Sequence, residues 1–313
     1  WWNNAGVEVW DDSRVYYPMR FTDSHGFTDV DTWPVNRRGR DVSLIANQLD
    51  GPVLEFVHGS REPFMGVYHP RTNAGTVHYA DYAELPAKKI WSWGVNPDGL
   101  DWRKTLSDNN SAYVEVQGGL FRNQETYAFL EPQKTLEFTE YWMPVRDIGG
   151  ISRANLHGVM HFLRKESAAG KVTLTAGLNV NHALADARVR ILDGTKTLFE
   201  QRLPLDPRRT FSHAIGNLPA DRQYTFEVAD ARGRVLLTHT EGRYDWTPAD
   251  QIKTGPQKAY EFPPVEKRTE GDFVELGKDE ELNGLLLRAY ETYTSALKRF
   301  PQSFEIHKAI GRL

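Results

Sequence analysis

The stretch AYVEVQGGLFRNQ, residues 112–124, sets one carboxylate, Glu115, between two valines. Gln117, a Gly-Gly pair and an Asn-Gln pair follow it. Side chains alternate along an extended strand. Val114 and Val116 therefore share one face, and Tyr113, Glu115 and Gln117 share the other. A strand that only fills a core has no use for an aligned carboxylate and amide. The polar row is either a working site or the wet side of a half-exposed sheet.

The runs around it have the same texture. VSLIANQ (42–48), VLEFVHG (53–59), FMGVYHP (64–70), GTVHYAD (75–81), KKIWSWGV (88–95), TLEFTEYWMPV (135–145) and HGVMHFLRK (157–165) are short, rich in β-branched and aromatic residues, and separated by Gly, Pro, Asn and Asp. No run here has a sustained helical period, so residues 1–165 read as a β-sandwich or barrel domain. From Gly170 the alternation is cleaner, as in KVTLTAGLNVN, ARVRILDG and QYTFEVADARG. Residues 168–246 therefore read as a small immunoglobulin-like or fibronectin-like β-sandwich. Residues 247–277, rich in Pro, Lys, Glu and Gly, read as a linker or strap. Residues 278–313 read as helical, with helices expected only after about Asp279 and Pro301 closing the first.

The whole chain has 313 residues, 40% hydrophobic and 26% charged, with net charge -4. That balance supports real cores and offers neither a basic stripe for nucleic acid nor a polybasic face for anionic lipid. No apolar run is long enough to span a bilayer. Cysteine is absent, which excludes thiolate nucleophiles and Cys-zinc sites but leaves the compartment open. The chain starts at Trp1 without Met and reads as a fragment or processed product. Eight of its nine tryptophans fall between Trp1 and Trp142.

Sugar rings offer apolar C–H faces and a rim of hydroxyls, which proteins meet with aromatic rings and with carboxylates, amides and lysines. KKIWSWG places Trp91 and Trp93 on one strand face, as a sugar platform or as core packing. Glu115 is the candidate working carboxylate, with His78 and His25, each beside an Asp and turn residues, as candidate acids; His58 and His69 are weaker ones. Asn4, Gln117, Asn123, Asp81 and Lys89 are candidate ligands for sugar hydroxyls. Glu140 is a possible second carboxylate, which would point to glycoside hydrolysis. No histidine spacing supports a metal site, and no cofactor is expected.

The order Glu115-x-Gln117, Asn123, then Leu130 to Pro132 and an amphipathic strand resembles the C-terminal signature of galactose-mutarotase-like (aldose 1-epimerase) proteins. That resemblance implies that Glu115 is the base at the anomeric hydroxyl. Two departures stand out: Gln133 replaces a Gly, and WWNNAGVEV carries Asn3-Asn4 where the family has Asn-His. GVYHPRTNAGTVHYAD, PAKKIWSWG and YVEVQGGLFRNQ, in that order, resemble an uncharacterised bacterial domain family of this superfamily found ahead of tetratricopeptide repeats. AYETYTSALKRFPQS and IHKAIGRL resemble the start of such repeats. The resemblance implies a mainly β chain. A partial mutarotase-like supersandwich, missing sheets before Trp1, is followed by the small sandwich and by tetratricopeptide-type helices that continue past Leu313. Two functions follow. One is a carbohydrate-active protein doing acid–base chemistry at an anomeric centre. The other is a non-catalytic sugar-binding scaffold whose helices hold a protein partner. The bacterial resemblance leans towards a periplasmic or secreted protein over a cytoplasmic one.

Overall fold

A computed structural model of the chain describes residues 2–23, 30–124, 126–128, 130–252, 262–282 and 285–313. Residues 1–257 form one compact unit and 258–313 another. Among the described residues no helix is long and apolar enough to cross a membrane.

The first module of the larger unit packs two antiparallel sheets. One has six strands in the order β1 (Trp2–Val9), β9 (Ala112–Gly119), β8 (Ala87–Ser92), β5 (Val53–His58), β3 (Phe21–Asp23) and β4 (Val30–Thr32). The other has four, β10 (Glu140–Arg146), β7 (Ala74–Ala80), β6 (Phe64–His69) and β2 (Arg14–Tyr16). Val7, Val9, Ile90, Val114 and Val116 from the first sheet meet Val15, Met65 and Val67 from the second in one core. The alternation around Glu115 has the simplest cause: its valines seal this core and its polar row faces the other way.

β6 is buried at every position. Its Met65 and Val67 point into that first core, and Phe64 and Tyr68 point into another with Val77, Met143, Val145, Ile151, Ala154 and Val159. The second core joins the first module to the second. The second module pairs β11 (Arg153–Asn155), β12 (Gly158–Ala168), β13 (Lys171–Val180) and β16 (Phe211–Pro219) in one sheet. The facing sheet is β15 (Lys196–Leu205), β14 (Leu184–Asp193), β17 (Tyr224–Ala229) and β18 (Val235–Thr240). Its core is dominated by Leu174, Ala176, Leu178, Val189, Ile191, Tyr224 and Phe226.

Four local expectations change. HGVMHFLRK, read as the last strand of the first module, is β12 and pairs with β13 over its length, so the sheets divide between 147 and 152 rather than at 165. VSLIANQ is a loop with a 3₁₀ turn at Ile45–Asn47, pinned by Gln48 and Asn47 side chains to backbone carbonyls. A helix, α1 (Pro97–Leu106), interrupts the β-rich half, started by Asn96, whose side chain accepts from Gly99 N, with Pro97 in the first turn. Helices also begin before Asp279, because α2 (Glu270–Leu282) starts inside the stretch read as linker. Thr269 and Asp272 cap it reciprocally, each backbone N–H donating to the other's side chain.

In the smaller unit, α2, α3 (Leu286–Leu297) and α4 (Phe304–Arg312) share a core of Phe273, Val274, Ala289, Tyr293, Ala296, Ile306 and Ala309.

Candidate functional site

β9 lies between β1 and β8, and the register fixes what surrounds its polar row. Gly6 and Trp91 flank Glu115, Asn4 and Lys89 flank Gln117, and Trp2 and Ala87 flank Gly119. All of these share the sheet face turned away from the core.

Glu115 is held from both sides along its own strand. The Tyr113 hydroxyl donates to Oε1 at 3.0 Å, and Gln117 Nε2 donates to Oε2. Each carboxylate oxygen keeps lone-pair capacity for an outside donor. Burial, followed by the adjacent Glu115 charge, pushes the Tyr113 phenol up to about 12, so it remains a donor at neutral pH. Gly6 is what lets that ring lean over β1: a Cβ there would come within 2.6 Å of it.

Trp91 and Trp93 stand on the same side. Their rings meet edge to face at 4.6 Å, and Trp91 also contacts Tyr113 at 6.2 Å. Trp93 stacks on Trp102 of α1 at 4.4 Å and 16°. α1 thus buttresses the pair, leaving both indoles half-buried. At the other end of the row the Trp2 indole lies over Gly119, where a Cβ would be 2.7 Å from it, and reaches Phe56 at 5.4 Å. The Lys89 ammonium sits 5.4 Å above the same Phe56 ring. Cover of this kind leaves Gln117 3% and Lys89 4% exposed on a face that a bare sheet would open to water.

The two glycines of the opening motif do not form a turn. β9 runs straight through them, with Gly119 making room for Trp2 and Gly118 for His78 from the opposite side.

The structure brings Glu115, Gln117, Trp91, Trp93, Asn4 and Lys89 together and separates the rest. His78 is on β7, fully buried beneath Gly118, on the far side of the sheet from Glu115. Its Nε2 is 3.1 Å from Glu140 Oε2, and its ring packs on Trp142. Burial, then the Lys88 charge, pushes it down to about 3, so it stays neutral. It cannot serve as the acid for a reaction at Glu115. Glu140 likewise faces His78 and Lys88 rather than Glu115. Asp81 belongs to the exposed turn after β7 and accepts from Ala83 N. Asn123 is fully buried, and its Oδ1 accepts from Thr126 N and Oγ1, closing a turn. His25 lies outside the described residues. His58 does share the Glu115 face, stacked on Phe21 at 5.1 Å. At about 3.3 Å per residue and 4.8 Å per strand, it is roughly 16 Å from Glu115.

Sequence reasoning missed Trp2 and Gly6, and set Tyr113 on this face without giving it a role. Tyr113 was readable from the two-residue alternation. Trp2 and Gly6 become neighbours only through the pairing of the chain start with β9. Among the described residues no group of His, Asp and Glu is placed to hold a metal.

Residues 1–145 match the family described as a domain of unknown function (DUF5107). Residues 153–239 match the family described as the second domain of YphG-like protein. The division between the two matches falls where the sheets divide. Among solved structures, a TPR-domain containing protein from Parabacteroides distasonis is 27% identical, with a TM-score of 0.38, over 46% of this chain and 24% of its own. A β-glucuronidase from Bacteroides uniformis is 9% identical, with a TM-score of 0.22, over 76% of this chain and 32% of its own. A β-glucuronidase from Ruminococcus gnavus, in complex with D-glucaro 1,5-lactone, is 11% identical with a TM-score of 0.20. This chain thus spans about a quarter of the Parabacteroides protein and a third of the Bacteroides enzyme. At these TM-scores the likenesses bear on neither fold nor function.

Proposed function

We propose that the outer face of the six-stranded sheet binds carbohydrate. The observation that carries this reading is the row Tyr113–Glu115–Gln117, hydrogen-bonded along one strand, with Trp91 directly beside the carboxylate. A pre-oriented carboxylate with spare lone pairs accepts sugar hydroxyls, and an adjacent half-buried indole takes the C–H face of a ring. Asn4 adds an exposed amide one register along.

Binding is the function the described geometry supports: of the candidate acids, His78 lies beneath the sheet and His58 roughly 16 Å from Glu115, while His25 is outside the described residues. We infer further that the first module is galactose-mutarotase-like and the second immunoglobulin-like. The Glu-x-Gln strand and the two-sheet packing support the first, and the paired four-stranded sheets the second. We infer that α2–α4 are repeat-type helices serving a protein partner; the Pro301 break between α3 and α4 supports this.

The test is a glycan array with the intact protein, then calorimetry on each hit. Trp91→Ala should weaken binding by roughly 1–2 kcal/mol if the ring stacks. Glu115→Gln should weaken it by roughly 1.5–3 kcal/mol, the range for a hydrogen bond to a charged group. Turnover by wild type that Glu115→Gln abolishes would shift the reading to catalysis. Unchanged affinity in both variants would remove this face from the ligand site.

A further inference from the structure

A cavity of about 300 Å³ opens at the end of the same face. Its walls include His58, Tyr82, Phe121, Arg122, Thr126 and Gln251. The volume lies at the lower end of the range typical of small-molecule sites, and aromatic rings alternate there with amide, hydroxyl and guanidinium groups. Along β9 the order is Glu115, Gln117 and Gly119 beneath the Trp2 indole, and Leu120, Phe121 and Arg122, just past the strand's end, line the cavity. Ala87, which pairs with Gly119, lines it too.

One wall comes from the far side of the second module. After β18 the chain returns to the first module and lies against residues 59–61. Arg61 N donates to Asp245 O at 2.8 Å, Thr247 N donates to Gly59 O at 3.0 Å, and Ser60 bridges to Trp246. Arg61 Nη2 holds the Gln251 side chain at 2.6 Å. Thr247, Gln251 and Ile252 thus complete a cavity that the first module leaves open. The buried Glu62 carboxylate accepts from the two terminal nitrogens of Arg153, at 2.8 and 2.9 Å, and from Asp245 N at 2.7 Å. The returning segment is therefore pinned beside the cavity.

We propose that this cavity is a second carbohydrate subsite, so that the ligand is an oligosaccharide of three or more residues running along β9 from Glu115 to the returning segment. The inference rests on the carbohydrate reading of Glu115 and adds the ligand class. Glu115 and Gly119, whose partner Ala87 lines the cavity, are four residues apart on β9, roughly 13 Å. One six-membered ring cannot touch both ends, and a short chain passing the Trp2 indole can.

The experiment titrates the intact protein calorimetrically with gluco-, manno-, galacto-, xylo- and N-acetylglucosamine ladders of one to five residues. For any ladder that binds, affinity should rise at least tenfold between the monosaccharide and the trisaccharide or longer. Tyr82→Ala and, separately, Gln251→Ala should remove most of that gain and leave monosaccharide affinity within about twofold. Glu115→Gln should lower affinity at every length. Affinity that depends on Glu115 but is flat with length, or a gain that survives both cavity variants, overturns the subsite and leaves the Glu115 site standing. Binding that depends on Tyr82 but not on Glu115 overturns the Glu115 site instead. No binding to any ladder overturns both.

Discussion

Replacing Arg153 with methionine keeps most of the side-chain stem and removes the guanidinium that grips Glu62. The Glu62 side chain is 2% exposed and that of Arg153 22%, so this is an interior ion pair and not a surface one. In the variant the carboxylate keeps only the Asp245 N–H at 2.7 Å and loses two charge-assisted bonds. A surface pair of this kind is worth about 0–1 kcal/mol. Removing one partner of a buried pair costs about 3–5 kcal/mol, because the other charge stays desolvated. At about 2–4 °C per kcal/mol for a domain of 150–250 residues, that is a fall in melting temperature of roughly 6–20 °C. Urea melts followed by tryptophan fluorescence and by circular dichroism measure the free-energy loss, and thermal scans the shift in melting temperature. The double variant Glu62→Leu with Arg153→Met removes both charges together and should recover most of the loss. What remains is the Asp245 N–H without its acceptor, about 1–3 kcal/mol, together with the lost Arg153 contacts to the Arg243 carbonyl and the Tyr244 ring. A loss below 1 kcal/mol in Arg153→Met, or a double variant whose loss is the sum of the two singles, would refute the reasoning.

Gly119→Val should displace the Trp2 indole from its seat, destabilising the protein by about 1–3 kcal/mol as overpacking does, with a shift in tryptophan emission that Trp2→Ala abolishes. Tyr113, raised to about 12 by burial and then by Glu115, contributes stability that is fully present below about pH 10 and is lost as pH climbs towards 12; Glu115→Gln should lower its midpoint in an ultraviolet titration without returning it to that of free tyrosine. Lys88, wholly buried and pushed down to about 7 by desolvation, binds its proton less well folded than unfolded. Wild-type stability should therefore rise between about pH 7 and 10.5 on this group's account, and Lys88→Met should flatten that rise in melts taken across the range.

The half of the fold that depends on local alternation could be read from the sequence. The valines around Glu115 and the tryptophans at 91 and 93 sit on the faces their spacing requires. What could not be read is who pairs with whom. HGVMHFLRK has the same texture as the strands before it, and only its ladder to β13 places it in the second module. His78 illustrates the same limit at the site: beside Asp81 in sequence it resembles a catalytic acid, but β7 belongs to the other sheet and carries it underneath. α1 escaped because Leu100 and Leu106 are exposed and form no apolar stripe, although Asn96-Pro97 is a helix-start signal. α2 escaped because the stretch before it is rich in Pro and Gly, which hid the cap at Thr269. Lys88 and Lys89 look like one solvated pair in sequence; alternation sends the first into the dry core and the second to the ligand face.

The second sandwich is fastened to the first at two places. It leaves by way of β10, where Arg146 N donates to Asn179 and Asp147 accepts from Asn73. It comes back through Asp245 to Thr247, against Gly59 to Arg61. A body held at one end can swivel about its linker in any direction, whereas one held at both ends can only rock about the line joining them. The arrangement makes the first module a poor candidate for isolation. A truncation after β10 would strip Glu62 of Arg153, leave the Gly59–Arg61 backbone unpaired and uncover Phe64 and Tyr68. A cut placed by sheet boundaries would run through a folding unit that closes only once residue 247 is in place.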